Sequence, residues 1–152
     1  MDTVLIKQAA IFSDLEEGEL ERVAEITKEQ KFKFGQTIFK EGEPGNRLFL
    51  IAEGEVRISR QVPGSGEEAL SVLKPGACFG EMAVFDRSER STDAIANKDC
   101  TLLTITRSDF EMLLDFDRDL AFKVLWSVTR LLCQRLRVTN DNLRSFLAMS
   151  MF

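Results

Sequence analysis

Apolar residues recur with three different spacings along the chain, and each spacing predicts a different kind of element. Near the N-terminus Leu20, Val23, Ala24 and Ile26 fall on one stripe, because positions three and four apart share a helix face. Ser13 followed by Glu16 reads as a capping box opening that helix. The run from Val4 to Ile11 reads as another short helix. From Glu29 to Thr106 the pattern changes to short runs punctuated by turn residues. Phe32 and Phe34 alternate with Lys31 and Lys33, the period of a strand with one buried face. Gly35, Pro44-Gly45-Asn46, Gly54, Pro63-Gly64-Ser65-Gly66, Pro75-Gly76 and Asn97-Lys98-Asp99 mark the bends. Between them lie RLFLIAE, EVRISRQ, EALSVLK, TDAIAN and CTLLTIT, which predict an antiparallel sandwich or barrel. Gly54, between two such runs, is expected at a positive φ that a side chain resists.

Helical spacing returns at Ser108, which with Glu111 reads as a second capping box over DFEMLLDF. Asp117 then caps a much longer predicted helix from about Arg118 to Leu147, without Gly or Pro. Along it Leu125, Thr129, Leu132, Leu136, Thr139, Leu143 and Phe146 recur at alternating four- and three-residue steps, a coiled-coil seam. Such a stripe packs either on its own β domain or on another helix. It outruns a small β domain, so a homodimer through this helix is expected.

Composition narrows the chemistry. A chain of 152 residues, 44% hydrophobic and 30% charged, suits one globular domain with a helical appendage. A net charge of −5 and a pI near 4.9 argue against a broad nucleic-acid surface. No apolar run is long enough to span a bilayer, and the N-terminus lacks the basic start and apolar core of a secretion signal. A cytoplasmic protein with no membrane partner is expected. Cys78, Cys100 and Cys133 have neither metal nor disulfide spacing and are expected as buried, reduced thiols. The absence of histidine excludes Ser-His-Asp and Cys-His catalysis and histidine-ligated metal sites. No metal is expected.

One stretch, CFGEMAVFDRSERS from Cys78 to Ser91, carries candidate binding chemistry. Gly80 lets the backbone turn and approach a ligand. GEMAVF suits a short helix whose first N–H groups are free for an anion. Arg90 offers a planar fork of donors for phosphate, and Ser91 adds a hydroxyl. Glu81 suits a sugar hydroxyl, as acidic residues do in dinucleotide sites. The set fits a sugar joined to one phosphate. The alternative is a Glu81–Arg90 salt bridge that closes the loop, and spacing alone does not decide between them.

LKPGACFGEMAVFDRSERS closely resembles the phosphate-binding cassette of the cyclic nucleotide-binding domain family, and GNRLFLIAEGEVRI resembles that family's strand–Gly–strand signature. The resemblance covers nearly the whole chain. It implies an α+β, mainly β fold: an eight-stranded antiparallel β-barrel of jelly-roll type, flanked by short N-terminal helices and a long C-terminal helix. Residues 1–116 would form the nucleotide-binding barrel with its helices. Residues 117–152 would form a helix that covers the base and dimerises. Glu81 would accept the ribose 2′-hydroxyl, while Gly80, Met82 and Ala83 present backbone N–H groups. Arg90 would pair with the exocyclic phosphate oxygens, Ser91 would reinforce it, and Thr92 adjoins them. Leu70, Ser71, Val56 and Ile58 are candidates for the wall near the base, or else plain core. The chain departs from the family pattern at Thr92-Asp93-Ala94. An aspartate beside a phosphate would repel it, so the irregular start of that strand is expected to turn Asp93 out to solvent.

The segment QRLRVTNDNLRSFLAM is similar to the long helix of the bacterial catabolite-activator subgroup. That likeness implies that Thr139 and Asn140 read an adenine, Asn140 from the second subunit, with Arg135 a turn earlier and able to reach Glu81. A non-enzymatic cyclic AMP receptor domain is therefore expected, signalling through its long helix to an effector protein. No DNA-reading element follows Asn140 in the sequence, so direct DNA binding is not expected. The alternatives are a cyclic GMP receptor, a domain of this fold serving only dimerisation or docking, and a small-barrel enzyme of cupin type.

Overall fold

The computed structural model describes residues 2–151. Two short helices, α1 (Thr3–Gln8) and α2 (Glu17–Glu25), flank a 3-10 turn at Ala10–Phe12. The strands are β1 (Lys28–Phe32), β2 (Thr37–Phe39), β3 (Arg47–Glu53), β4 (Val56–Val62), β5 (Gly66–Leu73) and β6 (Cys78–Phe79). After α3 (Glu81–Asp86) come β7 (Asp93–Ala96) and β8 (Cys100–Thr106), then α4 (Arg107–Phe116) and α5 (Arg118–Ser150).

The eight strands form two four-stranded antiparallel sheets, ordered β1-β8-β3-β6 and β2-β7-β4-β5. The expected closed barrel is corrected to a sandwich. No strand ladder joins the sheets among the described residues, and β2 and β6 are only three and two residues long. Side-chain alternation in β3 and β8 explains the layering. Phe49, Ile51, Cys100 and Leu102 point between the sheets, with Phe32, Phe39, Val56, Phe79, Ala94 and Ala96. Leu48, Leu50, Leu103 and Ile105 point the other way, into a second core built from Phe12, Leu20, Val23, Phe110, Leu120 and Val124. The central strands β3 and β8 of the first sheet are thus buried on both faces, which is why they are largely apolar rather than alternating, while the edge strand β1 is mostly exposed. Helices, first sheet and second sheet make three layers.

The helix starts differ in detail from the expected ones. The hydroxyl of Ser13 donates to the carbonyl of Ala10 at the end of the 3-10 turn, so the capping box of α2 shifts to Glu16 and Glu19. Thr106, the last residue of β8, caps α4 in place of Ser108 by accepting from the Asp109 N–H. Asp117 caps α5 as expected, accepting from Leu120. Phe34 lies past the end of β1 and is 71% exposed, because the chain turns there, with the Gln36 N–H donating to the Lys33 carbonyl. Gly54 has φ 87, and a Cβ there would lie 2.3 Å from the carbonyl oxygen of Asp99.

At 33 residues, α5 spans about 50 Å, and it has two halves. The first is clamped to the N-terminal segment. Leu120, Ala121, Val124, Ser127 and Val128 are buried. Asp117 pairs with Arg22 at 2.6 Å, Lys123 with Glu19 at 2.7 Å, and Arg130 with Asp14. From Leu132 onward every described residue of the helix is exposed, including Leu136, Leu143 and Phe146. Within one chain the predicted seam has no partner over this half. No helix is long and apolar enough to cross a membrane among the described residues.

Candidate functional site

The Cys78–Ser91 stretch folds as β6, α3 and a return loop, and α3 sits between the open edge of the sandwich and α5. Gly80 starts α3 in the left-handed conformation, φ 77. A side chain there would also be obstructed, since a Cβ would lie 2.7 Å from Nη1 of Arg90. Glycine therefore both turns the chain and lets the guanidinium close on the helix start. No side chain caps the N-terminus of α3, so its first N–H groups remain free for a ligand. Arg87 ends the helix, also left-handed at φ 57, and pairs with Glu111 of α4 at 2.9 Å.

Arg90 is 5% exposed. Its Nη1 donates to the Gly80 carbonyl at 2.8 Å and its Nη2 to the Arg47 carbonyl at 2.7 Å. The guanidinium carbon lies 4.2 Å from the centre of the Phe39 ring and 5.8 Å from that of Phe49. Both contacts favour the cation. Among the described residues no carboxylate lies within ion-pair distance of it, and its Nε has no hydrogen-bond partner. Burial lowers its pKa, and the fields of Glu43 and then Glu81 oppose that only in part. A desolvated cation held by neutral groups favours an anion beside it. A cavity of about 100 Å³ lies there, lined by Phe39, Gly80, Met82, Ala83, Ser88, Glu89, Arg90, Ser91 and Thr92.

Glu81 turns away from Arg90. It is 6% exposed and pairs with Nη1 of Arg135 on α5 at 2.6 Å. The alternative left open by spacing, a Glu81–Arg90 bridge, is not formed. Glu81 and Arg135 line a second cavity of about 90 Å³ with Met82, Phe85, Val128, Leu131 and Leu132. Met82 lines both, so the Arg90 cavity and the Glu81 cavity adjoin along α3. Cys78 lies beside this pair. Burial first, then the Glu81 carboxylate, raise its pKa far above the usual thiol range, so it stays a neutral thiol. Of the three cysteines only Cys100 is fully buried. Cys78 is partly exposed as a residue while its side chain packs against the helical-side core, and Cys133, on the free half of α5, is exposed.

The structure thus brings together Gly80, Glu81, Met82, Ala83, Arg90, Ser91, Thr92 and Arg135. It does not bring Thr139 or Asn140 to them within one chain. Both are exposed, and the Thr139 hydroxyl donates to the Arg135 carbonyl at 2.9 Å. Leu70 and Ser71 are exposed on the edge strand β5 and line neither cavity. Leu70 is the extra residue of a bulge, since Ser71 pairs with Ile58 but Ala69 with Ser59. Val56 is fully buried between the sheets and Ile58 packs on that core, so both act as core.

Asp93 is corrected. It is 9% exposed rather than turned out to solvent. Its Oδ1 accepts from the Glu41 N–H at 2.8 Å, and it lines a separate cleft with Thr37, Lys40, Glu41, Gln61 and Ile95. Strand alternation gives the reason. Ala94 and Ala96 point into the core, so Asp93 and Ile95 take the outer face of the second sheet. Two groups of the site had no sequence signal of their own. Phe39, under the guanidinium, reads as an ordinary core aromatic, and the Arg47 carbonyl is backbone.

The family profile described as the cyclic nucleotide-binding domain matches residues 29–117. The chain is similar to a CRP-like cAMP-activated global transcriptional regulator of Mycobacterium tuberculosis, 32% identical over 143 residues. That match covers 94% of this chain and 62% of the regulator. Among solved structures, it resembles the N-terminal domain of a transcriptional regulator from Streptomyces coelicolor A3(2), with TM-score 0.80 and 29% identity, covering 91% of this chain and 94% of that one. It also resembles the catabolite activator protein of Thermus thermophilus, with TM-score 0.79 and 34% identity, covering 88% of this chain and 61% of that one. The chain therefore spans less than two thirds of the full-length relatives.

If the Arg90 cation awaits an anion rather than holding the fold, removing it is cheap for the empty protein. Arg90→Met gives up two hydrogen bonds but relieves a desolvated charge, so unfolding stability in urea is expected within about 1 kcal/mol of the original. A loss of about 3 kcal/mol or more makes the arginine a structural element.

Proposed function

This chain belongs to the cyclic nucleotide-binding domain family, and we propose that it is a cytoplasmic receptor for cyclic AMP, a binding module rather than an enzyme. The observation that carries the reading is Arg90: a buried guanidinium with no anionic partner and an unpaired Nε, lining a cavity beside a helix start. One phosphate there gains the arginine, the free N–H groups of Glu81, Met82 and Ala83, and the Ser91 hydroxyl. Its single charge suits a cyclic phosphodiester and one cation. The names of the relatives, one of them cAMP-activated, support the choice of ligand. Nothing in the site is placed to activate a water.

Glu81 accepts the ribose 2′-hydroxyl in this reading. It is already held at 2.6 Å by Arg135, so a sugar entering the second cavity alters the contact between α3 and α5. That is the proposed route of signalling: ligand favours one setting of α5 over another. The recipient is an effector protein, with no direct DNA contact from these residues. The adenine then lies toward Thr139.

The homodimer follows from the exposed half of α5. With Leu136 and Leu143 at one seam position and Leu132, Thr139 and Phe146 at the other, Arg135 and Asn140 flank the seam on opposite sides. In a parallel two-stranded coil those flanking positions meet across the pair. Asn140 of a second copy thereby comes beside Arg135 and the mouth of the Glu81 cavity. Residues 117–152 act in this reading as base cover and dimerisation element, and residues 1–116 as the nucleotide-holding part.

Calorimetric titration with cyclic AMP is the test. Arg90→Ala is expected to lower affinity by about 10²–10³-fold, the cost of removing one partner from a desolvated ion pair. Binding within a few-fold of the original protein contradicts the phosphate assignment. Competition with cyclic GMP in the same experiment decides between the two nucleotides.

Thr139→Val tests base reading and assembly together. The hydroxyl is exchanged for a methyl of the same shape on the seam. A hydrogen bond to the adenine amino group contributes about 0.5–1.5 kcal/mol, or up to about 3 kcal/mol if that group is left buried and unmet. Cyclic AMP affinity is expected to fall several-fold or more, with cyclic GMP little changed and the sedimenting dimer intact or tighter. Unchanged base preference, or an original protein that sediments as a monomer with ligand, contradicts this part of the reading.

A further inference from the structure

We propose that Asp93 is a positioning residue for Arg90, and that the aspartate departing from the family pattern at this strand supports anion binding instead of opposing it. The proposal rests on the reading of Arg90 as the anion-binding cation.

The Asp93 carboxylate reaches across 52 residues of sequence to accept from the Glu41 N–H at 2.8 Å. Glu41 lies just past the end of β2, where the β2–β7 ladder has stopped, its last pair being Phe39 with Ala94. The aspartate therefore supplies the acceptor that a continuing strand would have supplied. The residues on either side of Glu41 bear on Arg90. Two residues before Glu41 stands Phe39, the ring under the guanidinium at 4.2 Å. On the other side, the Gly42 N–H donates to the Arg90 carbonyl at 2.9 Å, and the Arg90 N–H donates to the Glu43 carbonyl at 2.8 Å. An isolated bridge between Pro44 and Glu89 continues the same pairing.

The segment 39–44 thus grips Arg90 by its backbone and floors its side chain. Asp93 fixes the middle of that segment from three residues beyond the arginine. The carboxylate lines the cleft with Lys40, Glu41 and Gln61, and not the anion cavity. Arg60 adds to the same hold, donating from Nη2 to the Ser91 carbonyl at 3.3 Å, with Nε 4.0 Å from the Glu41 carboxylate. Each guanidinium tip already gives one N–H to a carbonyl while Nε has no partner, so the placement of the Nε edge decides how well the group meets a phosphate oxygen. A loop free to drift by an ångström loses that bond.

The experiment compares Asp93→Ala and Asp93→Asn with the original protein, by cyclic AMP titration and by ligand-free thermal unfolding. Asp93→Ala removes the acceptor and is expected to weaken binding about tenfold, the partial loss of one charge-assisted hydrogen bond. Asp93→Asn keeps an oxygen at the same place and is expected to recover most of that loss. Tighter binding by either variant means the carboxylate repels the anion, and the proposal fails. It fails equally if Asp93→Ala lowers the melting temperature but leaves affinity unchanged, which is the behaviour of a purely structural residue. Amide hydrogen exchange on the original protein needs no variant to fold. Protection of the Glu41 and Arg90 amides without ligand is expected, and a freely exchanging Glu41 N–H overturns the proposal. If the original protein does not bind cyclic AMP, the functional reading fails, while the exchange result still reports on the Asp93 hold.

Discussion

The structure turns on a positive charge kept out of water without a counterion. Arg90 is buried among aromatic rings and neutral carbonyls. Taking a guanidinium out of water costs several kcal/mol, and two carbonyl bonds and a ring face return only part of it. The rest of the domain holds that arrangement in place. Gly80 makes room for the guanidinium tip, the loop after β2 pins the arginine backbone, and the stacked Phe49–Phe79 pair, 5.0 Å between ring centres, backs Phe39. A site prepared in this way need not reorganise when an anion arrives, which is how preorganisation raises affinity.

The three layers connect that site to the long helix. The central strands of the first sheet are buried on both faces, so they are shared between the sandwich core that holds Phe39 and the core of the helical side. The N-terminal helices and α4 lie on its outer face and clamp the first turns of α5, through Leu120, Val124 and the three ion pairs. Clamping ends near Leu131, where the α3–α5 cavity begins. The Glu81–Arg135 pair bridges that cavity at the point where α5 leaves the domain. A contact at this place is short in reach but acts on a lever: about 22 Å of helix extends beyond it, at 1.5 Å per residue.

Much of this was legible in the sequence, and what was not has physical reasons. Strand positions followed from turn residues, because Gly and Pro act locally. The cassette residues stood out by type and order, but spacing left a Glu81–Arg90 bridge open; the roles, and the reach of Arg135 to Glu81, came from the family resemblance, and the structure shows that last contact at 2.6 Å. Helix starts were misplaced by two or three residues, at Ser13 and Ser108. A capping side chain is recruited by the chain that enters the helix, and in both cases the entering chain was already structured. That the sheets stay open was not legible, because the edge strands β2 and β6, three and two residues long, lie outside the runs read as strands. Asp93 was read for its charge alone, since its partner lies 52 residues away. The partners of Arg90 are main-chain carbonyls, to which no residue identity points. Thr139 and Asn140 stand clear of the cassette in one chain, so their role depends on a second helix.

The most direct measurement is on the Nε–H of Arg90 itself, followed by nitrogen-15 NMR while cyclic AMP is added to the labelled protein. Without ligand this proton has no partner among the described residues. A phosphate oxygen accepting from it is expected to move its proton resonance strongly downfield and slow its exchange with water, in step with saturation of binding. An Nε–H resonance that stays unmoved and fast-exchanging while cyclic AMP saturates the protein would contradict the claim that the buried arginine waits for the phosphate.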